Sequence, residues 1–390
     1  MAKLIDITGK SLSGEWGTDD ETGDGIPVLR TTNFTNEGVV NYNDVVTRTI
    51  TKKNIADKFL RKGDIIIEKS GGSDKFPVGR VIYFDGEEKT YLFNNFTGLL
   101  RVKNQDEWYP KYIFYSLYAN YKRGGTRAFE NKTTGLHNLK TDDYVSRYEV
   151  AEIDKTEQVL ICEKLNKLYE IIKLRRQELQ LLDELIKARF VEMFGNPILN
   201  ERGWDVTELK TVCNGIGDGL HGTPEYDENG EYPFINGNNL MNGAIEITPS
   251  TKMVDVETFK KYYIELSDNA LLLSINGTLG KLAFYNGEKV MLGKSACYCN
   301  LKPDINRKFV YGVMKTDAFM GFLERNATAS TIKNVGLKAI RGFKLILPPK
   351  ELQDQYVEFS NQVDKSKVAI QAALDKSQLL FDSLMQKYFG

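Results

Sequence analysis

"IPVLRTTNFTNEG", Ile26 to Gly38, and "YPFINGNNLMNG", Tyr232 to Gly243, are two versions of one phrase about 206 positions apart. Each is an apolar run that enters a polar stretch rich in Asn, Thr or Gly. One echo carries little weight, but others follow in the same order. "LIDIT" from Leu4 pairs with "LKTVC" from Leu209, and "GDIIIEKSGGS" (Gly63 to Ser73) with "DNALLLSINGT" (Asp268 to Thr278). "HNLKTDDYVSRYEV" from His137 pairs with "VGLKAIRGFKLILP" from Val335, and "VEMFG" from Val191 with "MQKYFG" from Met385. Order kept along the whole chain is the mark of a tandem duplication, here of about 195 residues.

Within each copy the grain changes from mixed to helical. Residues 1 to 150 and 200 to 350 carry short β-branched and aromatic runs cut by turns such as "YFDGEEKTY" and "FYNGEKVML", which read as strands and hairpins. Helices are expected at matching places, "WYPKYIFYSLYANYKR" and "RKFVYGVMKTDAFMGFLERN". From about 157 to 194 a seam steps by alternating four and three through Ile161, Leu165, Leu168, Ile172, Leu179, Leu182, Ile186 and Met193, with Arg175 and Arg189 as exceptions. That is a coiled-coil heptad. Adding 195 gives Tyr356, Val363, Ile370, Leu374, Phe381, Leu384 and Tyr388, interrupted by Ser360, Lys367 and Ser377.

A helix with one apolar stripe needs a partner. Pairing with a second chain and pairing within the chain both satisfy the pattern. The second is favoured, because Gly195, Asn196 and Pro197 end the first helix and the whole second mixed domain follows, with ample reach to return the last helix alongside. The expected architecture is of mixed α+β (α/β) class. Two similar domains, 1–152 and 197–350, are joined by helical regions 153–196 and 351–390 that form an intramolecular antiparallel coiled coil with pseudo-two-fold symmetry. At about 1.5 Å per residue such a helix is about 57 Å long.

Composition narrows the function. The 390 residues are 41% hydrophobic and 27% charged, ordinary for a globular protein of two or three domains. A net charge of -1 means that any polyanion site is a local patch. The start lacks the apolar core of a signal peptide and no run is long enough to span a membrane, so a cytoplasmic location is expected. Cys162, Cys213, Cys297 and Cys299 form no C-x-x-C pair and read as reduced core thiols. The two histidines, His137 and His221, lack ligand spacing, so no metal site is expected.

The recurring loops are suited to binding. Glu68 to Arg80 and Ser274 to Lys281 combine glycines, which let backbone amides approach closely, with Ser, Thr, Lys and Arg donors. "RTTNF" and "INGNNL" offer Arg and Asn, able to make paired hydrogen bonds to base edges. Either loop alone also fits a tight soluble hairpin. The charge pattern adds weight. Lys122, Arg123, Arg127, Lys132 and Lys140 face a single acid, Glu130, and Arg325, Lys333, Lys338, Arg341 and Lys344 face none, at the same place in each repeat. Enzymatic readings fail on inventory. "GIGDGLHG" has no clear strand before it or helix after it, Asp64 with Glu87 and Lys89 makes a poor nuclease core, and no methyltransferase motif is present.

With these features in hand, the sequence resembles the specificity subunit of type I restriction-modification enzymes over essentially its whole length. The resemblance rests on "SGEWG" followed by "IPVLRTTNF", "GDIIIEKSGGS" with "PVGRV", "DGLHGTPEYDENGEYPFINGNNLMNG" and "LILPPKELQDQ", in that order. It implies two target-recognition domains, each reading half of a bipartite double-stranded DNA site, and helices that set their separation and hold two methyltransferase subunits. It also implies no catalytic residue and no cofactor in this chain. S-adenosylmethionine would belong to the methyltransferase partner, and ATP and Mg to restriction/translocase subunits. One departure is that the first domain begins almost at Leu4 whereas Trp204 follows a lead-in, which implies a shorter N-terminal cap on the helical region.

The candidate DNA contacts are Arg30, Thr31, Thr32, Asn33, Lys69, Ser70, Gly71, Gly72, Ser73, Lys122, Arg123, Arg127 and Lys132 in the first copy. In the second they are His221, Thr223, Asn236, Asn238, Asn239, Asn276, Thr278, Lys281, Lys294, Arg325, Lys333 and Asn334. The seam residues are the candidates for helix pairing and partner binding. The competing reading is a non-catalytic two-armed scaffold that binds protein or glycan, against which the paired basic segments count.

Overall fold

The computed structural model describes residues 1–133 and 136–390, the side chains of Lys132 and Thr133 excepted. Two apolar triplets, Ile65 to Ile67 and Leu271 to Leu273, have no solvent exposure. An unbroken apolar run between turn residues makes a strand covered on both faces, and each triplet lies at the centre of a sheet. The chain divides into two compact units, Met1–Arg176 with Ala372–Gly390, and Gln177–Gln371.

In the first unit β1 (Leu12–Ser13), β2 (Ile65–Glu68), β3 (Ser70–Gly72), β4 (Val81–Tyr83), β5 (Thr97–Leu100), β6 (Glu130–Thr133) and β7 (Leu136–Leu139) build two sheets. Their orders are β1-β5-β2-β4 and β6-β7-β3, antiparallel throughout. Helix α1 (Pro110–Lys122) carries Pro110 in its first turn, where a missing N–H costs nothing. Helix α2 (Lys155–Phe194) follows.

In the second unit β8 (Cys213–Asp218), β9 (Ala270–Ser274), β10 (Leu282–Phe284) and β11 (Ala296–Leu301) repeat the four-stranded order as β8-β11-β9-β10. Each unit also repeats a parallel pairing, Ile26–Leu29 with Leu92–Phe93 and Tyr232–Ile235 with Met291–Leu292. Each mixed domain closes by pairing its first and last strands, Ala2–Lys3 with Glu149–Val150 and Asp205–Glu208 with Lys344–Leu347. The single helix expected over 307 to 326 is two, α3 (Arg307–Met314) and α4 (Asp317–Asn326). Thr316 divides them. Its hydroxyl donates to the Val313 carbonyl at 2.7 Å and accepts from the Phe319 amide at 3.3 Å, capping α4. The last helix is α5 (Lys350–Phe389).

Every expected seam position on α2 and α5 is buried or half-buried. In the first unit Arg175 donates to the Ala373 carbonyl and the Ser377 hydroxyl, and Arg176 to Gln378. In the second, Lys367 meets Asp183 at 2.5 Å, Arg189 lies over Phe359, and Phe190 packs edge-on to Tyr356 at 5.3 Å. In the second unit rising numbers on α2 meet falling numbers on α5, from Asp183 with Lys367 to Phe190 with Tyr356, so the segments there run antiparallel. The polar positions that interrupt the heptad are therefore matched, Arg175 to a small hydroxyl residue and Lys367 to a carboxylate.

The ends of the long helices are anchored by aromatic rings. Phe389 packs on Tyr112 of α1 at 5.1 Å, and Phe194 on Phe309 of α3 at 5.2 Å. All four cysteines are free and buried, and burial pushes the Cys162 thiol up to about 12. Among the described residues no helix is long and apolar enough to cross a membrane.

Leu374 is 9% exposed on the seam. Leu374→Asp is expected to lower unfolding free energy by about 3 kcal/mol or more, as for a charge forced into a packed apolar site. A urea midpoint equal to that of the unaltered chain would refute the packing.

Candidate nucleic-acid interface

In the first unit β3 joins two segments far apart in sequence. Gly72 pairs with His137 and Ser70 with Asn138, which sets the Glu68 to Arg80 loop beside the basic segment 121 to 140. A Cβ on Gly72 would lie 2.5 Å from the Val78 amide, so only glycine allows the two backbones to come together. Four groups brace the loop. The Ser73 amide donates to the Phe76 carbonyl at 2.7 Å, and the Phe76 amide to the Ser73 hydroxyl at 3.2 Å. Arg127 donates to the Asp74 and Lys75 carbonyls at 3.2 and 3.4 Å. Glu130 accepts from the Val78 amide at 3.0 Å and meets His137 Nδ1 at 2.8 Å, and His137 Nε2 lies 3.4 Å from Asp74.

Arg80 connects this loop to the opening phrase. Its guanidinium donates to the carbonyls of Phe34 and Thr31 at 3.0 and 2.9 Å, and to Glu68 at 3.4 Å. Burial pushes the Glu68 carboxyl up, against the opposing pull of Arg80. Lys69 donates to Ser13 at 3.0 Å, and burial holds its amine below the usual lysine range. It lines a polar cleft of about 500 Å³ with Ser11, Ser13, Ser70, Asn95, Phe96, Asn138, Leu139, Thr141 and Asp142.

The second unit repeats the junction with different side chains. Asn276 bridges Asn334 by backbone and by a 3.2 Å side-chain bond, and the Gly277 amide donates to the Lys333 carbonyl at 2.9 Å. Ser274 accepts from the Lys281 amide and donates to the Thr278 carbonyl, closing a shorter loop. The His221 loop lies beside Lys294, whose amide donates to the Leu220 carbonyl at 3.0 Å. His221 is exposed and 2.8 Å from Asp218.

The expected residues thus divide. Thr32, Lys122, His221, Thr223, Asn238, Thr278, Lys294, Arg325 and Lys333 are exposed. Lys69, Ser70, Ser73, Asn276, Lys281 and Asn334 are half-buried beside the loops, with Gly71 exposed and Gly72 buried. Arg30 pairs with Asp44 at 2.9 Å, and Thr31 offers its carbonyl to Arg80.

Asn33 and Asn239 turn their amides inward. Asn33 is 1% exposed; it accepts from the Arg30 amide at 2.8 Å and donates to the Asn41 and Asp44 carbonyls. Asn239 does the same with the Asn236 amide and the Glu246 carbonyl, and Asn236 meets Ser295 at 2.9 Å. The amide that suits a base edge equally suits a peptide, and here it is spent inside the turn.

Arg123 donates to the Phe389 carbonyl at the end of α5, and Arg127 is the loop brace. The side chain of Lys132 lies outside the described residues. Not expected from the sequence were Ser13, although it opens the "SGEWG" stretch, Asn95 and Phe96, which carry no motif, and Lys75 with Phe76 inside the Glu68 to Arg80 loop.

The seam residues are buried or half-buried. The large apolar side chains left open on the long helices are Leu160, Ile171, Leu174, Leu379 and Leu380 in the first unit and Leu181, Leu185, Val191 and Val368 in the second. Among the described residues no group of three or more His, Cys, Asp or Glu is placed to hold a metal ion.

Comparison with known proteins bears on this geometry. The type I restriction modification DNA specificity domain matches residues 2–184 and again 201–377. The crystal structure of a type I restriction-modification system S subunit from M. genitalium is 17% identical, with TM-score 0.57 over 100% of this chain and 95% of that one. A structure described for complex assembly and conformational transition of the type I R-M system is 16% identical, with TM-score 0.55 over 100% of this chain and 96% of that one. At these identities the likeness is one of fold.

Asn33→Ala should cost about 2 kcal/mol of stability, the price of leaving one buried amide and two carbonyls short of a partner. Thr32→Ala beside it should stay within about 0.5 kcal/mol. Equal melting of the two variants would refute the bracing role of Asn33.

Proposed function

The chain belongs to the type I restriction-modification DNA specificity family, and on that premise we propose that each mixed domain reads one half of a bipartite double-stranded DNA site. The observation that carries this reading is the repeated junction of a glycine-rich loop with a basic segment, built on the same strand order but with different side chains. Lys69, Ser70 and Asn138 stand where the second copy has Ile275, Asn276 and Asn334. A common frame with unlike tips suits two unlike half-sites. Cationic groups at the tips supply the salt-dependent phosphate attraction, and hydroxyls and amides supply hydrogen bonds to base edges.

The chain itself would carry out no reaction. Adenine methylation from S-adenosylmethionine is assigned to two methyltransferase subunits, and ATP- and Mg-dependent translocation and cleavage to restriction subunits. The long helices would set the spacing between half-sites and hold the methyltransferase subunits. The exposed leucines favour that second role, since isolated apolar residues are common on surfaces but a run along one helix marks a contact.

The test is to map methylated adenines in cells that carry this chain with its methyltransferase partner. Lys69→Ala is expected to relax one half of the methylated motif, and Asn276→Ala with Lys333→Ala the other half. Relaxation of both halves by either change would refute the assignment of one half-site per domain. A separate test concerns partner docking. Leu174→Glu, at a position 60% exposed, should leave melting unchanged while reducing recovery of methyltransferase subunits with the tagged chain at least tenfold; undiminished recovery would place the partner elsewhere.

A further inference from the structure

We propose that Phe76 is a wedge that presses its ring against the bases of DNA engaged by the first domain, and that Ile332 holds the same office in the second. The proposal rests on the DNA-reading assignment above and adds a contact of a different physical kind, apolar and insensitive to salt.

Phe76 is 62% exposed. An exposed phenylalanine on a slack loop would fold against the protein, since covering a ring is favourable by a kcal/mol or more. Here the turn that bears it is held against such collapse. The Ser73–Phe76 bonds close the turn, Arg127 binds the two carbonyls between them, and His137 faces Asp74 with Glu130 behind it. The side chains of His137 and Glu130 are both only 4% exposed. A buried polar brace beneath an exposed ring is the arrangement expected of a group that must project.

The surroundings select the occupant. The Lys75 ammonium lies 5.4 Å from the ring centroid, and the same loop begins with Lys69 and Ser70, which line the polar cleft. An apolar ring with a cation alongside matches a stacked base next to a phosphate better than an apolar protein patch.

The second unit supplies an independent observation. Its loop from Ser274 to Lys281 is five residues shorter than Glu68 to Arg80 (12 steps against 7) and carries no aromatic residue. Yet Ile332 is 64% exposed, directly before Lys333, on the segment that bridges Asn276. The apolar side chain with an adjacent lysine recurs at the same junction, moved to the companion segment.

The experiment uses the full chain assembled with its methyltransferase subunits, and duplexes carrying the mapped motif with 2-aminopurine placed at successive steps. The unaltered complex should brighten the probe at one step of the first half-site. Phe76→Ala should abolish that signal and weaken binding about tenfold, the loss of roughly one stacked base, with no change in the slope of log affinity against log salt. Lys75→Ala should instead reduce the slope by about one, and Phe76→Trp should keep the signal. An unaltered complex that binds the duplex without brightening any probe overturns the wedge alone, as does Phe76→Ala with full affinity. Normal DNA binding by Phe76→Ala with loss of methyltransferase subunits makes the ring a protein contact, and also overturns it. Failure of the unaltered complex to bind any motif-bearing duplex would sink the underlying recognition reading.

Discussion

The anchoring of each long helix by its last aromatic residue is the contact on which the rest depends. A helix ends with carbonyls that lack intrahelical partners, and here the mixed domain provides them. Arg123 donates to the Phe389 carbonyl, and the Trp204 indole to the Phe194 carbonyl at 2.9 Å. The rings of the same residues sit on Tyr112 and Phe309. One residue thus closes a helix electrostatically through its carbonyl and buries it through its ring. The first domain is held in this way by the final turn of a helix more than 260 positions from Arg123, so the first unit, unlike the second, cannot be cut from the sequence as one continuous piece.

The helix seam is specific because its defects are complementary. Arg175 reaches Ser377 and the Ala373 carbonyl. By the 195-residue offset, the positions equivalent to this pair are Ile370 and Leu182. Were the first helix paired with another copy of itself in the same register, Arg175 would meet Leu182 and lose its hydroxyl acceptor. A polar seam residue fixes register at some cost in stability, and here it also separates the first helix's proper partner from its own copy.

The candidate interface separates frame from tip. Glu68–Arg80, Glu130–His137 and the Asn33 and Asn239 turns are polar groups turned inward, and each satisfies backbone atoms that no regular strand pairs. Unpaired, such groups would be costly; paired, they hold loops rigid without apolar packing. The tips can then differ between domains without disturbing the sheets. Under the proposed reading, rigid support with variable projections would let one duplicated scaffold meet two different sequences.

Periodicity and repetition, which depend only on residue order, made the duplication, the change from mixed to helical grain, the seam and the two basic segments legible in the sequence. Tertiary contact decided what a residue type does at its place. Asn33 and Asn239 look like base readers because an amide suits a base edge, but the turn consumes the amide. Arg123 and Arg127 belong to basic segments, yet one closes a helix and the other braces a loop, because a carbonyl from distant sequence lies within reach. Phe76 and the open leucines gave no signal, since an apolar side chain reads as core until the fold is seen to leave it uncovered. The break at Thr316 was hidden because a cap depends on local backbone geometry, which residue order leaves open.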